Sequence, residues 1–509
     1  MNLHTVARLD ALSEDRATQV QIGDLKILLV RVADHVKAYQ GECPHAGAPL
    51  AEGALCDGRI ICPWHKAAFA LETGALCEPP ALDALKAYPV QVQDGAVRVG
   101  DQPLPSSARS QRPDARTFVV VGAGAAGTAA ACALREQGFG GRLVLLDREP
   151  AAGYDRTALS KFVVAGKMPA DQVPPLRDAD YWALHQVERL DAEVRRIDVA
   201  GKTIELADGG HLAYDAALVA TGGTPRIPAL PGVDLPGVFV LRSRDQAGAI
   251  LASARKGGHA VIVGDSFIGM ECASALRTFG MQVTILGHSA IPFARQFGEQ
   301  VGQALLDLHR RNGVSYRSDA QARACRGEGR LQVVELDNGE RLSADLVLLG
   351  VGVKPVTELL SGVALAEDGG VPVDSHLRAA DGLWAVGDIA SFPLAGQPTR
   401  IEHWRLAQQQ ARLAAHNMLG GDAPFLEVPF FWTLHFEKRL DYLGHAADWQ
   451  DSHIDGDLQG FNFAALLLDN DQVKAVVACQ RPRLTALLAE RLRRPLDRSE
   501  ALALIAANR

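Results

Sequence analysis

The sequence predicts a multidomain chain: an N-terminal all-β module, two Rossmann-like α/β dinucleotide-binding domains and a C-terminal α+β domain. Three observations carry this reading. Residues 3–100 hold short alternating apolar segments, among them Lys26 to Val32 and Val90 to Val99, broken by Gly and Pro as in small all-β modules. Two stretches, Phe118 to Asp147 and His259 to Gly287, each read as an apolar strand, a glycine turn, an Ala-rich helix and a second strand. From Phe425 onward, aromatic strand-like pieces (PFFWTLHF, DYLGHA, GFNFAALLLD) alternate with turns and end in an Arg/Leu/Ala-rich helical tail.

Size and composition set the bounds. At 509 residues the chain exceeds one core, and about 150 residues per domain predicts three or four. A 48% hydrophobic and 22% charged composition, with mean hydropathy +0.01, is that of a soluble globular protein. The net charge of −8, without a run of Lys or Arg, argues against a nucleic-acid partner. Residues 1–15 lack a signal-like apolar core and no long apolar stretch follows, so no membrane span and a cytoplasmic location are expected. Of eight cysteines, Cys56, Cys77, Cys132, Cys272, Cys325 and Cys479 are scattered; they read as buried small hydrophobes rather than a disulfide framework. A monomer or a homodimer is compatible with the sequence.

Taken in order, the first module carries Cys43-Pro44-His45 and Cys62-Pro63-Trp64-His65, with sixteen residues between the two half-sites. Two cysteines and two histidines also make a tetrahedral zinc set, although zinc fingers usually bring the cysteines first and the histidines afterwards. The interleaved order resembles the Rieske [2Fe-2S] family. That resemblance implies that Cys43 and Cys62 hold one iron and His45 and His65 the other, the neutral ligands raising the potential above that of an all-cysteine cluster. By the same resemblance, Ala48 and Trp64 stand where high-potential members carry a disulfide, and Ala67 and Phe69 where they carry hydroxyls. Hydrogen bonds to cluster sulfurs stabilise the reduced form, so their loss implies a potential near the low end of about −150 to +300 mV. Lys66 would act in the opposite sense if it pointed at the cluster.

Residues 103–116, rich in Pro, Ser and charge, read as a linker. Gly122-Ala123-Gly124-Ala125-Ala126-Gly127 then follows the strand TFVVV and opens a helix. In that context Gly122 permits the tight turn, Gly124 admits a pyrophosphate to the backbone N–H groups, and Gly127 lets the helix pack on the strand. Asp147 ends the second strand and suits the adenosine ribose hydroxyls, with Glu149 as the alternative. The second copy, Gly264-Asp265-Ser266-Phe267-Ile268-Gly269, puts a small serine at the middle glycine position. Gly287-His288 follows its second strand, where neither a carboxylate selects NAD nor an arginine selects a 2′-phosphate. Beyond Asp345 the strands VLLG and LWAVG and a helix from about Arg405 to Leu419 are expected to return the fold to the first nucleotide domain.

Residues 117–509 resemble the ferredoxin-reductase branch of the FAD-dependent pyridine-nucleotide oxidoreductases, and the whole chain is similar to the Rieske-bearing apoptosis-inducing-factor-like proteins. The resemblance rests on the two glycine turns, Tyr154-Asp155-Arg156 with Leu159-Ser160-Lys161, Ala220-Thr221-Gly222, Ala385-Val386-Gly387-Asp388 and Arg400-Ile401-Glu402-His403-Trp404. It implies a Rieske domain at 1–102, an FAD-binding domain at 117–237 and 356–423, an NAD(P)-binding domain at 238–355 and a C-terminal reductase-type domain at 424–509. It implies FAD contacts for Arg156, Gly387 and Asp388, and nucleotide contacts for Gly352. Lys161 and Glu271 would pair near the flavin N5 edge and tune it electrostatically. Phe267 would lie near the nicotinamide. Glu402, His403 and Trp404 precede a helix whose N-terminus would favour reduced flavin.

Residues 154–166 contain no cysteine, which argues against thiol–disulfide turnover. The expected function is therefore electron transfer from NAD(P)H, with NADH slightly favoured, through FAD and the [2Fe-2S] cluster to an external acceptor such as a redox protein or an oxygenase. A slow NADH-responsive sensor and the reductase component of an oxygenase system are the alternatives.

Overall fold

The computed structural model describes residues 2–105, 111–150 and 153–509. Residues 106–110 of the expected linker lie outside the described residues.

The first module is all-β, as expected. Leu3–Arg8, Ala96–Gly100 and Val90–Gln93 form one antiparallel sheet, and Thr18–Ile22, Leu25–Val32, His35–Gln40 and Ala87–Tyr88 form a second. A third sheet, Ala54–Cys56, Arg59–Ile61, Ala68–Ala70 and Leu76–Glu78, carries the ligand loops beside a core that includes Leu28, Val30, Ile60 and Phe69. The Val90 to Val99 segment is not one strand. Asp94 and Gly95 both take positive φ, +52° and +74°, and fold it into a two-residue hairpin, a turn for which Asp-Gly is especially suited.

The first nucleotide sheet runs in the order Val187–Asp191, Arg142–Asp147, Thr117–Val121, Ala216–Val219, Leu383–Ala385 and Arg378–Ala380, parallel except for its last strand. The chain leaves Thr117–Val121 first to one side and later to the other, so the Gly122 turn sits at a topological switch point, where such sheets bind ligands. The second sheet, Val238–Phe239, Leu346–Leu349, His259–Val263, Gln282–Leu286 and Val314–Arg317, is wholly parallel. Its VLLG strand pairs with His259–Val263 on one side and Val238–Phe239 on the other, so it belongs to this second sheet; of the two strands expected to return to the first, Leu383–Ala385 alone does so. A buried parallel strand is apolar on both faces, and residue type alone does not say which sheet it joins.

The last region is a five-stranded antiparallel sheet, Phe430–His435, Lys438–Gly444, Gln472–Cys479, Asn462–Asp469 and Asp451–Asp457, covered by helices Pro482–Arg491 and Arg498–Ala507. The β-module is seated on it: Ala54, Ile61 and Ala68 pack around Ala486 of the first of these helices. Cys56 and Cys77 lie half-buried beside this contact, so they are not fully interior as expected; the other six cysteines are buried. Among the described residues, no helix is long and apolar enough to cross a membrane.

Candidate functional site

The two Cys–His loops are built alike. Cys43 N–H donates to the Ala48 carbonyl and Cys62 N–H to the Ala67 carbonyl, both at 2.8 Å, closing each loop over its histidine. The thiols of Cys43 and Cys62 are buried against each other. Their mutual hydrogen bond and then burial push Cys43 up. Burial also opposes charge on Cys62, but the Cys43 thiol and the N–H groups of His65 and Trp64 outweigh it and bring it down to about 7. The imidazoles face each other with Nδ1 atoms 3.1 Å apart. Burial lowers both, so both are neutral, which is the ligating form. Among the described residues, no three His, Cys, Asp or Glu side chains gather around one point as they would for a single ion. A pair of thiols beside a pair of neutral imidazoles instead fits a two-iron cluster.

His45 and His65 line a cavity of about 1290 Å³ that also holds the first glycine turn. Gly122 has φ +101°, and a Cβ on Gly127 would stand 1.7 Å from the Gly122 carbonyl oxygen, so this helix touches its strand. A Cβ on Gly124 would meet nothing within 4 Å, which leaves an open cradle under the helix N-terminus beside Ala126. Asp147 lines the cavity, and burial raises its carboxyl. Glu149 is held by Arg156 at 2.6 Å and by Tyr154 at 2.9 Å, which leaves Asp147 better placed for ribose. Asp388 pairs with Arg242 at 2.9 Å, while Gly387 N–H donates to Gln410. Ala220, Thr221 and Gly222 line the cavity directly beside the Gly122 turn, with Thr221 tied through its hydroxyl to the Val356 carbonyl. These features fit an extended dinucleotide such as FAD.

At the inner end, a π-helical turn over Leu159–Val163 directs two adjacent side chains to one carboxylate oxygen. Ser160 reaches Glu271 Oε2 at 2.5 Å and Lys161 reaches it at 2.9 Å. Thr433 donates to the other oxygen at 2.6 Å. Thr433 also contacts His435 at 2.9 Å, and His435 contacts His309 at 3.2 Å. Phe267 stacks on Phe293 with ring centroids 4.3 Å apart and still faces the cavity, next to the part-exposed Ile268. His403 precedes the Trp404–Met418 helix, is half-buried, and has a buried Nδ1 without a hydrogen-bond partner. Burial brings its imidazole down to about 3. Glu402 is paired with Arg400 at 2.6 Å and is nonetheless raised, chiefly by burial.

Trp432 lies between the two centres: its ring is 5.3 Å from that of His65, and Lys161 Nζ sits 4.6 Å from its centroid. Trp432, Ser160, Thr433 and Arg242 were not singled out by sequence. Only Ser160 stood within a recognised motif, and the others reach the site through tertiary contacts. The second glycine turn, Gly264, Ser266 and Gly269, and Gly352 lie outside the large cavity. There Ser266 caps the Phe267–Phe279 helix, accepting from Gly269 N–H at 3.2 Å.

The pyridine nucleotide-disulphide oxidoreductase family matches residues 116–411 and the Rieske [2Fe-2S] domain matches residues 2–89. The chain is 35% identical to apoptosis-inducing factor 3 of Mus musculus, over 96% of this chain and 83% of that protein. It is also 35% identical to the biphenyl dioxygenase system ferredoxin–NAD(+) reductase component of Paraburkholderia xenovorans, over 72% of this chain and 90% of that one. Among solved structures, the covalent putidaredoxin reductase–putidaredoxin complex superposes with TM-score 0.71 at 28% identity, covering 78% of this chain and 99% of that chain.

Proposed function

Because the chain belongs to the pyridine nucleotide-disulphide oxidoreductase family and carries a Rieske [2Fe-2S] domain ahead of it, we propose that NADH oxidation in the reductase half is relayed to the site formed by Cys43, His45, Cys62 and His65. The protein is an NAD(P)H-dependent flavoprotein oxidoreductase of ferredoxin-reductase type. When bound, FAD accepts an electron pair from NAD(P)H and releases single electrons, and the [2Fe-2S] cluster carries one at a time. The observation that carries the intramolecular reading is that His45 and His65 share one cavity with residues 122–126 of the first glycine turn.

The residues divide the work. Gly124 and the Ala125–Glu136 helix N-terminus receive the pyrophosphate, Asp147 the ribose, and Arg156 and Asp388 border the rest of the flavin nucleotide. Lys161, fixed by Glu271, offers a cation at the inner end of the cavity, and Phe267 closes it on the nicotinamide side. Half-buried, neutral His403 orients rather than exchanges a proton. NADH is favoured over NADPH because Arg317, at the end of the strand beside Gly287, is already engaged by Glu340 at 2.6 Å and Asp319 at 3.4 Å. The domain limits 1–102, 117–237 with 356–423, 238–355 and 424–509 follow this division. A cytoplasmic setting suits eight cysteines without a disulfide.

The external acceptor is a redox protein or an oxygenase, as the dioxygenase reductase relatives suggest. Anaerobic titration with NADH and NADPH tests this, with the flavin followed by absorbance and the cluster by EPR. Sequential reduction of flavin and cluster, at lower NADH than NADPH concentration, is expected. Flavin reduction without any change in the cluster signal overturns the reading. Similarity to apoptosis-inducing factor 3 favours a second reading, a slow NADH-responsive sensor. Very slow acceptor reduction with persistent long-wavelength absorption would select it.

A further inference from the structure

The two ligand loops share a backbone and differ in one residue's use. Where the first loop has Gly47 at φ +72°, the second has Lys66 at φ +62°, and both donate N–H to the carbonyl of their own cysteine, Cys43 and Cys62. Lysine is poorly suited to that left-handed conformation and to burial, yet the Lys66 side chain is 0% exposed. Its Nζ donates to the Pro63 carbonyl at 2.6 Å and to Asp441 Oδ2 at 2.7 Å, and stands 5.2 Å from the centre of the Phe430 ring. Asp441 is itself completed by Arg439 at 2.8 Å and Thr485 at 3.0 Å. The loop backbone is gripped too: Arg439 donates to the Trp64 carbonyl, and Arg405 donates to the Lys66 carbonyl at 3.0 Å. Asp441, Arg439, Thr485 and Arg405 all belong to the reductase half. A strained backbone and a desolvated ammonium are compensated only while the module is seated there.

We propose that Lys66 is a positioning residue that clamps the second ligand loop to the reductase, so that the cluster is reduced from a fixed seat rather than through docking and release of the module. The inference rests on the proposed flavin-to-cluster path. Lys66→Gly keeps the left-handed turn while deleting the clamp, and Asp441→Asn weakens it from the other side. In the holoprotein mixed anaerobically with NADH, flavin and cluster reduction are timed separately in a glycerol series. For the unsubstituted protein, cluster reduction is expected to be independent of viscosity. In Lys66→Gly it should slow at least about tenfold relative to flavin reduction and become viscosity-dependent. Amide hydrogen exchange gives a readout apart from turnover: residues 62–67 and 438–441 should exchange at least about tenfold faster in both variants. Viscosity-dependent cluster reduction in the unsubstituted protein, or unchanged exchange in both variants, overturns the clamp. A flavin that is reduced while the cluster is not overturns the electron path instead, and the exchange measurement then judges the clamp.

Discussion

Glu271 shows what single side chains contribute to this site. Its buried carboxylate is held by Ser160 and Lys161 from one segment and by Thr433 from another. Removing one partner of a buried pair leaves the other charged and desolvated, so Lys161→Met is expected to lower stability by about 3–5 kcal/mol. Lys161→Met with Glu271→Gln should recover most of that loss in urea unfolding. Full additivity of the two substitutions would show that they do not interact. His403 and His435 supply the pH dependence. Burial brings both down to about 3, against an ordinary value of 6.5, so the folded protein holds them neutral while the unfolded chain protonates them first. Their contribution is complete above pH 6.5 and is lost as pH falls from there towards 3, at about 1.4 kcal/mol per pH unit for each. Unfolding midpoints measured between pH 7.5 and 5 should fall accordingly, and His435→Gln should flatten the slope. Cys43, His45, Lys161 and Glu271 could be read from sequence because local motifs carry them. Thr433 and His435 could not, since Thr433 matters through its contact with Glu271, 162 positions away, and His435 through its contacts with Thr433 and with His309, 126 positions away.

At the level of elements, the two glycine turns look alike in sequence and differ in what each position faces. A Cβ on Gly127 meets backbone at 1.7 Å, so Gly127→Ala must part the helix from its strand. Gly124 faces open space, so Gly124→Ala should fold with an unchanged unfolding midpoint as apoprotein and bind FAD at least about tenfold more weakly by fluorescence titration. Equal FAD affinity would show that the cradle is not where the pyrophosphate lies. In the second turn the middle position is an N-cap, which explains why serine is accommodated there. Ser266→Ala should cost about 1 kcal/mol in chemical denaturation. Strand–turn–helix order was legible because each piece is specified within a few residues. Sheet membership of VLLG and the hairpin inside Val90 to Val99 were not, the first because pairing is nonlocal and the second because an apolar alternation reads through a two-residue turn.

Over the whole molecule, the seating of the β-module is the feature that sequence order concealed. Lys66–Asp441, Arg59–Glu490 and Arg405–Pro79 join positions more than 300 residues apart. Arg405 begins its contacts from the helix that opens beside the cavity and ends them on the module, where Glu78 also receives Gln409 at 2.7 Å and Arg493 at 2.8 Å. Separate ferredoxins and reductases meet by diffusion, and exposed charges steer the encounter, so their rates scale with concentration and fall with salt. Here the two partners are one chain, and the charges that join them are mostly buried and already paired, beyond the reach of screening ions. Cluster reduction after NADH mixing is therefore expected to be first-order, unchanged on dilution, and to vary by less than about twofold between low and high salt. A rate proportional to protein concentration would mean that the module of one chain is served by the reductase of another, and the contacts at Lys66, Glu78 and Arg405 would then be formed between chains in solution.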